Sequence, residues 1–221
     1  LGGEAVTRHV SLAPAAQPPV TLADAGPADP ADSSPDKLLA RDAQGELFYA
    51  ERLAPATQHI VLFGAGHVGQ ALVHILGTLP CHVVWVDERE GQFPDVVPAN
   101  VQIEATDTPE ALIDQAPPDS YFLIMTHDHA LDQRLCEYLL RRDDVAYFGL
   151  IGSMTKRRKF EHRFQARGIP EERYRRIVCP IGEPGIMGKQ PAVIAVSVAA
   201  QLLRMQAAGH SLPALDAQAL I

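Results

Sequence analysis

Cysteine and tryptophan are scarce in this sequence: three cysteines, Cys81, Cys136 and Cys179, and one tryptophan in 221 residues. The cysteines lie far apart without C-x-x-C spacing, which excludes a disulfide framework and a structural zinc site as organising features and leaves each a free thiol. No apolar run is long enough to span a bilayer and no signal-peptide pattern is present, so the expectation is a soluble, cytoplasmic protein that makes no use of a membrane. Positive charge is short overall. The formal net charge of -8 argues against general nucleic-acid binding. The chain opens on Leu1 rather than Met, which reads as a fragment or a processed product.

What is present divides into stretches of different kind. Residues 1–10 alternate in part and read as a strand remnant of an N-terminal module. Residues 11–36 carry six prolines and no Lys or Arg. Such a composition cannot bury enough apolar surface to offset ordering entropy, so a flexible linker is expected. Residues 37–57 suggest a short hairpin turning at Gln44-Gly45 and bracing the edge or base of the main domain. Residues 58–221 hold the alternation of apolar runs and helical periodicities that defines an α/β domain, and the 47% hydrophobic content suffices for one such core.

The organising stretch is Gln58 to Asp87. An apolar run, Ile60 to Phe63, passes into Gly64, Gly66 and Gly69 with G-x-G-x-x-G spacing. A helical pattern comes next in Val68, Leu72, Ile75, Leu76 and Leu79, and a second strand ends on Asp87. Strand, glycines, helix, strand and terminal acid in this order predict a βαβ unit of a Rossmann-like, doubly wound parallel sheet, of expected order 3-2-1-4-5-6. Gly64 permits the turn, Gly66 lets a ligand approach the backbone, and Gly69 lets helix and strand pack closely. Asp87 is placed to accept hydrogen bonds from a ribose-like diol and to disfavour a 2'-phosphate. The plainer alternative is a Rossmann core whose glycines only make the turn. His67 either faces the ligand or decorates the first helical turn.

Further strands are expected at Val101–Glu104, Tyr121–Met125, Val145–Ile151 and Arg176–Val178, and a final, almost wholly apolar helix from Pro191 to Ala208, buried on most sides. GAGHVG, THDH, GLIGS and CPIG each stand just after a strand's C-terminal end, so all four should line one crevice. Thr126, His127 and Asp128 read as polar contacts to a ligand there, with helix capping by Thr126 or Asp128 and metal binding as alternatives; the H-x-H-x-D-H pattern is not met. Ser153, Lys156 and Arg157 open a helix with cations that oppose its dipole, which a bound phosphate would explain, unless they point to water. Residues 154–176 as a whole hold nine Lys/Arg against three Glu, most simply a solvated helix face. Gly188 and Lys189 sit in a glycine-rich loop suited to another anion. Cys179 is either a thiol ligand or sulfur-handling group, or a buried structural cysteine.

With these residues assembled, FGAGHVG, VDERE with FP, MTHDHALD, GLIGSMTKRRKF and CPIGEPGIMGKQPAVIA together resemble the xanthine dehydrogenase accessory factor (XdhC) family, over about Phe48 to Leu203. The resemblance implies a Rossmann-like domain that binds molybdenum cofactor (molybdopterin), protects it and delivers it to xanthine dehydrogenase, often after sulfuration dependent on a cysteine desulfurase. It places Gly64, Gly66, Gly69 and Asp87 around the pterin or nucleotide, Thr126 and His127 at its polar edge, Ser153, Lys156 and Lys189 on phosphate, and Cys179 near molybdenum or sulfur. It also implies an upstream domain with a cysteine in a glycine-rich motif, which residues 1–36 do not show.

No nucleophile, base and orienting residue stand in register, which favours binding over turnover. Two rival readings remain open. One is an NAD-dependent oxidoreductase with His127 as acid or base and Asp87 selecting NAD over NADP; the other is an NAD-sensing regulatory module. Homo-oligomerisation is left open by the sequence.

Overall fold

The computed structural model describes residues 6–12, 20–24, 37–41, 45–53 and 58–207. The chain divides into two compact units, Leu1–Thr57 and Gln58–Ile221.

The first unit is an antiparallel sheet of β1 (Val6–Ser11), β2 (Val20–Asp24), β3 (Lys37–Arg41) and β4 (Leu47–Leu53), in the order β2-β1-β4-β3. β3 and β4 pair as a hairpin, with Leu39 opposite Tyr49, and Arg41 Nη1 donates to the carbonyl of Gly45 (2.6 Å). Gly45 has φ +84°, a value its missing side chain permits. β1 lies between β2 and β4, with Val10 opposite both Val20 and Tyr49. The described strands of the remnant, linker and brace stretches therefore share one sheet. The linker expectation fails at residues 20–24: averaging over a proline-rich stretch hides Val-Thr-Leu, which is β-prone and sits on an edge strand, where neighbouring prolines are tolerated. Residues 13–19 and 25–36, and the turn residue Gln44, lie outside the described residues.

The second unit is the α/β domain. β5 (Gln58–Phe63), β6 (Cys81–Asp87), β7 (Val101–Ala105), β8 (Ser120–Ile124) and β9 (Val145–Leu150) form a parallel sheet in the order β7-β6-β5-β8-β9. The order reverses between β5 and β8, so a crevice is expected beyond their C-terminal ends. The sixth strand contracts to a single bridge, Gly149 to Val178. Cys179 and Pro180 come next, and proline has no N–H to carry the ladder on.

Alternate residues of each strand face opposite ways, and both faces are covered, as a parallel sheet requires. Ile60, Leu62, Trp85, Leu123 and Tyr147 pack with α1 (His67–Leu76) and α6 (Pro191–Ala207). Val61, Phe63, Phe122, Ile124 and Phe148 pack on the other side with α2 (Glu110–Gln115), α3 (His129–Leu139) and α4 (Met154–Ala166). A short α5 (Glu171–Tyr174) comes after α4. Between β6 and β7 runs a single turn of 3-10 helix, Glu90–Gln92, in place of a crossover helix. α6 is less enclosed than its composition suggests. Ala195, Val198, Leu202 and Met205 are buried, but Val196 and Leu203, seven positions apart and so on one helical face, are 49% and 42% exposed.

Candidate functional site

The turn from β5 into α1 is clamped from the protein side. Gly64 has φ +115°, and a Cβ there would stand 2.3 Å from the carbonyl oxygen of Met125; a Cβ on Gly69 would stand 2.2 Å from the Gly64 oxygen. That oxygen accepts from Trp85 Nε1 (3.0 Å), and Gln70 Nε2 donates to the carbonyls of Ala65 (3.2 Å) and Gln92 (3.0 Å). Gly66 differs. A Cβ there would meet nothing within 4 Å, and as N-cap of α1 it offers no side chain to the first-turn N–H groups. The middle glycine of the motif is thus the one the protein's own packing does not require. His67, the first residue of α1, is exposed beside it.

Asp87, at the end of β6, has a side chain only 4% exposed. Its Oδ2 accepts from the Ala65 N–H (2.7 Å) and Arg89 Nη2 (2.9 Å), and its Oδ1 from Arg89 Nε (2.8 Å) and the Arg89 N–H (3.0 Å). A carboxylate offers about four lone-pair sites, and here all are taken. Burial pushes the Asp87 carboxyl up, but hydrogen bonds from Arg89 and Ala65 outweigh it and hold the group below the usual carboxylate range. The role expected for Asp87, reading a ribose diol, is not open to it in this arrangement. It fastens the glycine turn and orients Arg89.

Beyond β8, Asp128 caps α3 by accepting from the Ala130 N–H (2.7 Å). The Thr126 hydroxyl donates to Asp132 Oδ1 (2.6 Å) and accepts from the Asp128 N–H (3.2 Å), so Thr126 is turned into the protein rather than toward a ligand. Asp132, fully buried, also accepts from the Thr126 N–H (3.1 Å) and pairs with Lys156 Nζ. Gly64, Asp87, Thr126 and His127 do meet around one cavity, of about 10 Å³, room for a single water. His127 and Glu88 are its exposed members.

Lys156 does not reach out for a phosphate. Its ammonium donates to Asp132 and to the Ile151 carbonyl (2.8 Å), lies over the Phe160 ring, and its side chain is 10% exposed. The cation at a helix start is explained by Asp132, a partner on another helix that spacing does not reveal. Gly152 leaves room for it, since a Cβ there would stand 2.5 Å from Lys156 Cδ. Ser153 caps α4 through the Lys156 N–H (3.3 Å). Arg157 is engaged by Glu161 (2.8 Å) and the Cys179 carbonyl (3.3 Å).

Cys179 is 3% exposed, and burial pushes its thiol up to about 11, against the opposing pull of Lys156 and Arg157. The thiol is enclosed in this arrangement, with the Gly152 and Ser153 carbonyls 3.8 and 4.0 Å from its Sγ, and among the described residues no three His, Cys, Asp or Glu side chains are grouped to hold a metal. Gly188 has a packing reason of its own, because a Cβ would stand 2.7 Å from Val193 Cγ1; Lys189 is exposed in the same loop.

A glycine turn leading into an uncapped helix at the point where a parallel sheet reverses defines the Rossmann class of ligand-binding domains. Residues 60–202 match the family described as the XdhC Rossmann domain, and the chain belongs to that family. It is 28% identical over 150 residues to the uncharacterized protein YqeB of Escherichia coli K12, covering 66% of this chain but 27% of that one. A solved structure from Bacillus halodurans, described as a xanthine dehydrogenase (BH1974), superposes with a TM-score of 0.62 at 22% identity, over 96% of this chain and 63% of that one. The likeness extends to fold, and the chain spans only about a quarter of the length of its curated relative.

Proposed function

We propose that this protein is an accessory factor for an enzyme of the xanthine dehydrogenase type, binding the pterin-based molybdenum cofactor for delivery rather than turning over a substrate. The observation that carries the reading is the open start of α1 at Gly66, with no protein atom within 4 Å of where a Cβ would stand and first-turn N–H groups without a side-chain cap. Such a helix start suits the phosphate of the cofactor. Membership of the XdhC Rossmann family supports the same reading. When bound, the cofactor would supply molybdenum and dithiolene chemistry to the receiving enzyme. This chain's part is to hold the phosphate end, with Gly66, His67 and the α1 N–H groups as the residues in reach.

Saturation of Asp87 removes the residue on which selection of NAD would rest. The test is mass spectrometry and metal analysis of what is released on denaturing protein purified without oxygen from cells that make the cofactor. Pterin and molybdenum in near-equal amounts to protein are expected. NAD without pterin would overturn the reading. Partner transfer is tested by mixing loaded protein with a cofactor-free xanthine dehydrogenase and measuring recovered activity, with a cysteine desulfurase added in a parallel arm.

A further inference from the structure

Arg89 is the basic side chain fastened to the glycine turn through Asp87. Its guanidinium forks onto Asp87 through Nε (2.8 Å) and Nη2 (2.9 Å), and the same Asp87 Oδ2 accepts the Ala65 N–H (2.7 Å) at the start of that turn. The fork uses two of the five guanidinium N–H groups. Asp87 is 4% exposed and Arg89 35%, so the pair turns its acid inward and its base outward.

We infer that Arg89, positioned by Asp87, is a specificity-determining residue of the crevice and makes it select a phosphate monoester over a ribose diol. The inference rests on the crevice at Gly66 being the ligand site. A free carboxylate at the end of β6 accepts from a diol and repels a 2'-phosphate, whereas an arginine there accommodates the phosphate. Here the carboxylate has no acceptor site left and its charge is matched by the guanidinium, so neither the attraction to a diol nor the repulsion of a phosphate survives. The remaining guanidinium N–H groups belong to a side chain that is partly exposed and held by the fork, the arrangement in which arginine binds phosphate with least loss of side-chain freedom. The α1 N-terminus adds a second positive pole beside it.

Two ligands carry such a phosphate: the pterin of molybdenum cofactor and a 2'-phosphorylated dinucleotide. The experiment is a fluorescence titration of the full chain with two probe pairs, the stable oxidised pterin phosphate made from molybdenum cofactor against the same pterin after phosphatase, and NADP against NAD. Wild type should prefer the phosphorylated member of at least one pair by about ten-fold or more. Arg89→Ala should reduce that preference to within about two-fold. Arg89→Lys keeps a partner for Asp87 while losing the fork, should cut the preference at least about three-fold, and carries the test if the alanine variant does not fold. A preference unchanged in the variants overturns the inference. Equal binding within both pairs overturns it too, and where the pterins bind it leaves the pterin reading standing. Preference for NADP without pterin binding keeps the inference and overturns the pterin reading. Binding of none of the four overturns both.

Discussion

The ammonium of Lys156, in the first turn of α4, is paired with the fully buried carboxylate of Asp132, in the first turn of α3, and reaches the Ile151 carbonyl at 2.8 Å. Two helix starts that succeed neighbouring strands are thereby joined behind the crevice. Removing one partner strands the other charge away from water. Asp132→Leu is expected to destabilise the domain by about 3–5 kcal/mol, and Lys156→Met by a comparable amount. The double variant should recover much of that loss, because an apolar pair replaces an ion pair at small net cost. Urea unfolding of the four proteins checks this; strictly additive losses would show that the two side chains do not act as a pair.

This pair also marks where the sequence was legible and where it was not. The strands, the glycine turn and the helices that succeed them appear in the sequence because each is written in local periodicity and in turn residues. The roles of Lys156 and Asp87 are not local. Lys156 is separated from Asp132 by a strand and two loops, and a cation opposing a helix dipole reads equally well as a phosphate ligand until its partner is seen. Asp87 occupies the position of a ribose-binding acid, and only the distances to Arg89 and Ala65 show its oxygens engaged. The D-x-R spacing at Asp87 and Arg89 was the available signal. In the N-terminal unit, averaged composition concealed a five-residue strand, β2, which pairs with β1.

Glycine substitutions should separate structure from binding. Gly64→Ala and Gly69→Ala place a Cβ 2.3 and 2.2 Å from backbone oxygens, and each should lose about 2 kcal/mol or more of stability. Gly66→Ala meets nothing within 4 Å. It should melt within a few degrees of wild type, about 1 kcal/mol or less in stability, while retaining less of the bound ligand. Thermal melts beside ligand quantification distinguish the three, and a Gly66→Ala protein that keeps its full ligand load would count against the crevice.

Asp87 predicts an acid transition with a built-in reporter. Its folded carboxyl titrates below the ordinary value of 3.8, so the stability it contributes is present above that value and is lost as pH falls through the lower folded one. Trp85, the single tryptophan, donates to the Gly64 carbonyl that the same turn presents. Its emission should shift to the red as the turn opens in acid, and Asp87→Asn should weaken the turn already at neutral pH. An acid transition identical in wild type and Asp87→Asn would detach the carboxylate from turn stability.

The three thiols should react slowly in the native state. Cys136 is fully buried, and Cys81 and Cys179 are 2% and 3% exposed. Burial pushes Cys81 up to about 11 and Cys179 likewise to about 11, so little thiolate exists at pH 8. Titration with a disulfide reagent should show labelling that tracks unfolding rather than pH. Fast labelling of Cys179 alone would reveal an opening of the loop before α6 and restore it as a sulfur-handling candidate.

At the opposite end of the sheet, His59 on β5 stacks against His82 on β6 with ring centroids 5.3 Å apart. The Ser120 hydroxyl donates to the Pro117 carbonyl (2.6 Å), so its contact with His59 Nδ1 (3.2 Å) is one in which the ring donates. Burial, and after it the neighbouring His82, lower the His59 value below 6.5. A histidine held neutral by folding binds its proton more readily when unfolded. Its contribution is therefore complete above about 6.5 and fades as pH falls through the lower folded value. Stability measured by urea unfolding should decline between pH 7.5 and 5 in wild type, and less steeply in His59→Gln. His82→Gln should also shrink the decline by removing the second cause of the shift, whereas parallel slopes in all three proteins would show that the stacked pair is indifferent to protonation.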